Sequence, residues 1–205
     1  MEVNASKGLL KWKDAAMSSP TLVVVSGPPG SGKTTLAHEI ARSLGCPAVC
    51  RDEIKEGMAH STPGFEASTG DPLTQRTFTV FFEVLETLLR GGVTVVAEAA
   101  FQDKLWRPNL EPLAELAAIR VIRCTVDAAV AHERIVRRAA DGPKRAAHAD
   151  QDLLKAIANG ERPLESWVPI SLDIPTLAVD TTDGYQPRIE EIVSFAGRPA
   201  ASDAG

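Results

Sequence analysis

The chain is short of several features that would place it outside ordinary globular proteins. Only three of its 205 residues are cysteine: Cys46, Cys50 and Cys124. The number is odd and no two make a C-x-x-C pair. A disulfide framework or a cysteine metal knuckle is therefore not expected, and the three read as reduced, mostly buried thiols. No stretch approaches the roughly 18 apolar residues that cross a bilayer. Met1 to Pro20 carries Lys7, Lys11 and Lys13 without the apolar centre of a secretory leader, so a cytoplasmic protein is expected. Positive charge is not in excess either. With 22 Lys and Arg against 27 Asp and Glu, the net charge is −5, which argues against a surface built to coat a polyanion. Aromatic residues are only 5%, and no internal repeat is visible.

What remains is an ordinary globular composition, 44% hydrophobic and 24% charged, at a length that suits one domain. The expected division is a flexible N-terminal tail over 1–19, a domain over 20–196, and a disordered C-terminal tail over 197–205. Within the domain, short apolar runs alternate with helical patterns, the signature of a parallel sheet covered by helices. Thr21 to Ser26 is a short continuous run rich in β-branched residues, as a strand buried on both faces should be. Further strands are expected over 48–50, 93–97, 119–124 and 175–180. Helices are expected over 33–44, from Asp52 to about 59, and over 73–90, 108–118, 128–140, 151–159 and 187–195.

One motif decides the class. Gly27-Pro28-Pro29-Gly30-Ser31-Gly32-Lys33-Thr34 matches G-x-x-x-x-G-K-[ST] in full, directly after a strand and directly before a helix. Such a loop turns successive backbone N–H groups inward around a polyphosphate, and the helix N-terminus adds its own N–H groups and positive dipole end. Lys33 is expected on the β- and γ-phosphates, Thr34 on Mg²⁺, and Thr35 on a further phosphate oxygen. ATP and Mg²⁺ are the implied ligands. The guanine-specific N-K-x-D motif is absent, and the chain is too short for a AAA+ motor with its helical lid domain. A small kinase fits best.

Asp52 follows the second strand and so shares a rim with Lys33, where a doubly wound sheet places its site. A carboxylate there can take the proton of an acceptor hydroxyl. The competing reading of Asp52 is a plain helix cap. Glu98 ends the third strand and can serve Mg²⁺ or the substrate, because an unpaired carboxylate on an apolar strand is costly. Gln102 is a candidate substrate contact. Arg134, Arg137 and Arg138 share one helix, and Lys144, Arg145, His148 and Asp150 follow. They suggest a lid over about 134–150 whose guanidinium groups reach the transferring phosphoryl, with Arg134 and Arg138 the leading candidates. The long connection over 55–76 carries Lys55, His60, Phe65 and Arg76. Lys55 and Arg76 are expected to contact the acceptor.

The P-loop, Asp52 and the basic helix together resemble the P-loop kinase group that includes zeta toxins, chloramphenicol phosphotransferase and polynucleotide 5′-hydroxyl kinases. The resemblance spans about residues 20–196. It implies a three-layer α/β fold with a five-stranded parallel sheet in the order 2-3-1-4-5, a helical lid, and an ATP-dependent phosphotransferase acting on an alcohol. It implies that Asp52 activates the acceptor hydroxyl. The polynucleotide kinases carry an arginine where this chain has Lys55, and the group often has aspartate where this chain has Glu98. A small metabolite, antibiotic or nucleoside-like acceptor is the first expectation. A polynucleotide 5′-end or nucleotide-sugar comes second. A partner-regulated ATPase or nucleotide switch, with Asp52 and Glu98 activating water, is the reading from another class.

Overall fold

The structure, a computed structural model, describes residues 19–68, 70–139, 150–160 and 167–198. The two tail segments before residue 19 and after 198 lie outside them, as do Lys144, Arg145 and His148 of the expected lid. Five strands form one parallel sheet: β1 (Thr21–Ser26), β2 (Ala48–Cys50), β3 (Val95–Glu98), β4 (Ala118–Thr125) and β5 (Thr176–Asp180), in the order β2-β3-β1-β4-β5. This is the order expected from the sequence. The described helices are α1 (Lys33–Leu44), α2 (Arg51–His60), α3 (Pro72–Arg90), α4 (Asp103–Leu113), α5 (Ala128–Ala139), α6 (Asp150–Ala158) and α7 (Ile189–Ala196).

The residues of β1 show why the sheet is central. Leu22 and Val24 face one way, into a layer with Phe81, Leu85, Leu89, Trp106 and Leu110 from α3 and α4. Val23 and Val25 face the other way, onto Leu36, Ile40 and Ile192 from α1 and α7. Both faces are sealed, so an unpaired polar residue on either side would be stranded, and Leu22–Val25 is apolar throughout, with the polar Thr21 and Ser26 only at the strand's ends. The few aromatic residues are concentrated on the first side. Phe78, Phe81, Phe82, Phe101 and Trp106 form one cluster with neighbouring ring centroids 5.1–6.1 Å apart. Phe101 thereby anchors the turn that leaves β3 immediately after Glu98.

Local rules set most boundaries. Gly45 ends α1 at φ 68°, with the Cys46 N–H donating to the Ala41 carbonyl at 3.0 Å, a Schellman closure. Asp71 caps α3 by accepting the Thr74 N–H at 3.0 Å, and Pro72 opens the helix. Helix α4 differs from expectation. It starts at Asp103 rather than at Pro108, so Pro108 and Pro112 lie inside it. The apolar face Trp106–Leu110–Leu113 pays for the two missing N–H donors. The start is held from far away in sequence: Asp103 accepts the Ser171 N–H at 2.8 Å and its hydroxyl at 2.9 Å. Strand β3 is also shifted and extends through Glu98, in register with Val25 and Cys50.

Lys55 lies under the site. It is 4% exposed and donates to Asp71 Oδ2 at 2.6 Å and to Thr74 Oγ1 at 3.0 Å, tying α2 to the start of α3. Burial pushes the Asp71 carboxyl up, but the Lys55 ammonium and the Thr74 N–H outweigh it and hold it below the usual carboxylate range. Removing one partner strands the other in the interior. Lys55→Met is therefore expected to destabilise the fold by about 3–5 kcal/mol in urea denaturation. A carboxyl whose folded pKa is lowered stabilises above its unfolded pKa, and that contribution fades as pH falls through the folded value. The difference between wild type and Lys55→Met should accordingly shrink below about pH 4.

Candidate active site

The site lies at the C-terminal edge of the sheet and begins with the loop between β1 and α1. At Gly30 φ is +78°, and a Cβ there would come within 2.6 Å of the Ala131 carbonyl oxygen on α5. At Gly27 a Cβ would come within 2.6 Å of the Cys124 carbonyl oxygen. The loop is thus pressed against β4 and α5 where only glycine fits. Gly32, at φ 69°, leads into α1, whose first turn presents Lys33, Thr34 and Thr35. Ser31 points inward, donating to the Pro28 carbonyl at 2.8 Å. Lys33 is 7% exposed, and its Nζ donates to the same carbonyl at 2.9 Å, which holds the ammonium over the loop.

A second set of contacts fastens this loop to the turn after β5. Thr181 is buried, with its hydroxyl 2.9 Å from the Ser31 carbonyl and 3.0 Å from the Thr125 carbonyl. Arg134 reaches across from α5. Its Nη2 donates to the Thr181 carbonyl at 2.7 Å and the Thr182 carbonyl at 3.2 Å, and Nη1 donates to the Gly30 carbonyl at 3.4 Å. The guanidinium expected to reach a phosphoryl group is therefore committed to backbone carbonyls. It braces the loop against the 181–182 turn.

Glu98 enters from β3. It is 3% exposed, and its Oε2 accepts the Thr34 hydroxyl at 3.0 Å. Burial pushes its carboxyl above the usual carboxylate range. The Lys33 ammonium and the Thr34 hydroxyl oppose that, while the Asp52 carboxylate adds to it. Asp52 sits in the first turn of α2, after Cys50 in the capping position. Arg51 Nη1 donates to its Oδ1 at 2.9 Å, and the carboxylate is partly exposed.

These pieces surround one cavity of about 580 Å³. Its walls include Gly30, Gly32, Lys33, Thr34, Thr35 and Asp52, with Glu53 and Glu56 beside Asp52 and Arg134, Arg137 and Arg138 opposite. Thr181, Gly184 and Tyr185 close one end. Thr34 Oγ1 and the buried Glu98 carboxylate form an all-oxygen pair beside the loop, the donor chemistry a hard cation such as Mg²⁺ takes. The chemistry the cavity favours is binding of a triphosphate on the loop, with a carboxylate from α2 facing it.

Other expected contacts lie elsewhere. Lys55 is held under the wall by Asp71, and Arg76 is exposed on α3 away from the cavity walls. Gln102 precedes α4 and makes no side-chain cap, its carbonyl accepting from Leu105 and Trp106. Glu98 does not line the cavity itself and reaches it through the hydroxyl of the wall residue Thr34. The sequence points to the turn after the last strand, but it assigns no role to the side chains of Thr181, Tyr185 and Glu39. Tyr185 is pushed up to about 12 by burial and by the neighbouring Glu39 carboxylate, with which it hydrogen-bonds. Thr181 carries no recognisable signal, since its role comes from contacts across the fold. Tyr185 had one: it is the chain's single tyrosine and follows the last strand.

A family model described as an AAA domain, AAA_33, matches residues 22–163, more than half of the chain. No curated protein matches the sequence. Among solved structures, a protein from Chloroflexus aurantiacus called a "putative kinase" is 26% identical at TM-score 0.71, covering 86% of this chain and 96% of that one. A sugar kinase from a Janibacter species is 21% identical at TM-score 0.57, with 86% and 94% covered. A gluconokinase from Sinorhizobium meliloti is 21% identical at TM-score 0.53, with 87% and 90% covered. The last two share the fold. Among the described residues no helix is long and apolar enough to cross a membrane.

Proposed function

The chain belongs to the AAA_33 family of AAA domains, and we propose that it is a Mg²⁺-dependent kinase that transfers the γ-phosphate of ATP to a hydroxyl of a small molecule. One observation carries the reading. Lys33 and the phosphate loop share a single cavity with the Asp52 carboxylate and the α5 arginines. The names of the similar structures, among them a sugar kinase and a gluconokinase, support it at the level of reaction class.

In this reading the loop N–H groups and Lys33 hold the β- and γ-phosphates, and the 181–185 turn lies beside the rest of the nucleotide. Thr34 and Glu98 would hold Mg²⁺, which when bound offsets the charge of the phosphate oxygens. The acceptor enters along α2. Asp52 receives the hydroxyl proton as the acceptor oxygen bonds to the γ-phosphorus and the bond to the β-phosphate bridging oxygen breaks, releasing ADP. Arg137 and Arg138 supply positive charge across from Asp52, with Arg138 the stronger candidate for the transferring group. Arg134 acts through the backbone it braces. The zeta toxin and chloramphenicol phosphotransferase types suit this arrangement better than the polynucleotide kinases. The lysine standing where the latter carry arginine is spent on Asp71.

The test is ATP consumption by the full chain against sugars, polyols, aminoglycosides, nucleosides, nucleotide-sugars and 5′-hydroxyl oligonucleotides. The expected result is slow hydrolysis of ATP alone, and stoichiometric phosphorylation of one small hydroxyl compound. Rapid acceptor-independent hydrolysis altered by a protein partner would establish the switch reading instead. Phosphorylation confined to oligonucleotides would move the acceptor to the second reading.

A further inference from the structure

Beside the nucleotide cavity three side chains of metal-ligating type converge from three elements. His38 lies midway along α1, Cys50 ends β2, and Glu53 is in the first turn of α2. His38 Nε2 is 2.6 Å from Glu53 Oε1 and 3.7 Å from Cys50 Sγ. The three ligand atoms all lie within 4.8 Å of one another. We propose that His38, Cys50 and Glu53 form a binding site for a divalent transition-metal ion of the zinc class, separate from the Thr34–Glu98 oxygen pair.

The donor set selects the ion. A thiolate, an imidazole and a carboxylate suit zinc and its first-row neighbours, whereas Mg²⁺ and Ca²⁺ take oxygen and seldom accept sulfur. The geometry needs little change. Around a tetrahedral zinc, donors of these types stand roughly 3.4–3.6 Å apart. The sulfur–nitrogen distance of 3.7 Å is close to that already. The imidazole and the carboxylate must part by somewhat under 1 Å, and both have room: their side chains are 42% and 47% exposed. The same exposure gives an ion a way in from solvent and leaves the fourth position to water. Cys50 is 2% exposed, so the sulfur is fixed while the other two adjust.

Charge also balances. On binding, the Cys50 S–H bond breaks, its proton leaves to solvent, and an S–metal bond forms. One thiolate, one carboxylate and a neutral imidazole then match a dication. The His38–Glu53 contact alone is an exposed pair of small value. Closing it with a cation would join the middle of α1 to the first turn of α2. Those helices present Lys33 and Asp52. Glu53 also lines the cavity, so an ion here would withdraw that carboxylate from the wall and couple metal availability to the site. The proposal does not depend on what the acceptor is.

The experiment is a zinc titration of the full chain, reduced beforehand, in competition with a chromophoric chelator, alongside a cobalt(II) titration read by absorbance. One zinc per chain is expected, with a thiolate-to-cobalt charge-transfer band. His38→Gln and Cys50→Ser should each weaken zinc binding at least about tenfold, since even loss of an outer-shell partner costs that much. Cys50→Ser should also abolish the band, while Cys46→Ser should change neither. If Cys50→Ser does not fold, His38→Gln decides, because that side chain is half exposed. Binding without defined stoichiometry, binding that survives His38→Gln, or loss of the band in Cys46→Ser would overturn the assignment. So would displacement of zinc by millimolar Mg²⁺, which would put the ion on Thr34 and Glu98.

Discussion

Lys33→Ala should reduce phosphoryl transfer by on the order of 10²–10³-fold or more, the cost of removing one preorganised charge from a phosphoryl site. The side chain is almost wholly enclosed, and its ammonium is held over the loop by the Pro28 carbonyl. Its position is set before any substrate arrives. What is lost is a fixed charge aimed at the phosphates, and water entering from the cavity that Lys33 lines carries no such charge. The fold should survive, since Lys33 gives up one charge-assisted hydrogen bond to the Pro28 carbonyl, worth about 1.5–3 kcal/mol, and its attraction to the buried Glu98, whose carboxyl is then free to take up a proton. Lys33→Met serves as a second variant that keeps the apolar stem. Turnover is measured with saturating acceptor, and ATP binding by calorimetry, with thermal unfolding as the control for folding. Turnover within tenfold of wild type in both variants would show that the γ-phosphate is not held by Lys33.

Much of this site could be read along the chain because its parts are local. A P-loop is eight consecutive residues, and β1 and α1 announce themselves by an apolar run and by glycines at their ends. Right-handed βαβ crossovers allow several parallel orders; the order 2-3-1-4-5 comes from the resemblance to the P-loop kinase group, and the structure has it. The misread parts depend on distant partners. Pro108 looks like a helix start, yet α4 begins five residues earlier, because Ser171 holds Asp103 and Trp106 extends the apolar face. Lys55 looks like a substrate cation until Asp71, sixteen residues on, is seen to hold it. Arg134 shows the limit best. Helical spacing puts it beside Arg138, but only the fold brings the Gly30, Thr181 and Thr182 carbonyls to its guanidinium. Thr181, the His38–Cys50–Glu53 cluster and the Glu39–Tyr185 pair have the same character. Each is made of unremarkable residues that the topology places together.

Asp52→Asn is expected to lower kcat by about 10²–10⁴-fold, the usual worth of a positioned general base, with KM for ATP changed less than about threefold. The substitution is nearly isosteric. Asparagine can still accept from Arg51 at the Oδ1 position, but it cannot take a proton at neutral pH. The simpler account of Asp52 is electrostatic. A carboxylate in the first turn of α2 favours the helix dipole by about 0.3–1 kcal/mol. That account predicts a small drop in melting temperature and unchanged turnover. The base assignment allows the same small drop in melting temperature but adds the loss of turnover, so turnover separates the two and melting temperature serves as the control. A further distinction comes from pH. The Asp52 carboxylate must be ionised to accept a proton, so kcat/KM of the wild type should fall on the acid side as the carboxylate is protonated. Asp52→Asn should lack that limb. Arg51 keeps its side chain 14% exposed and spans from Asp52 to the Thr74 carbonyl at the start of α3. It pairs with the Asp52 carboxylate, which lines the same cavity as Lys33. If Asp52→Asn turns over normally with the true acceptor, the proton leaves by another route, and Asp52 is a first-turn helix residue whose place beside the P-loop is incidental.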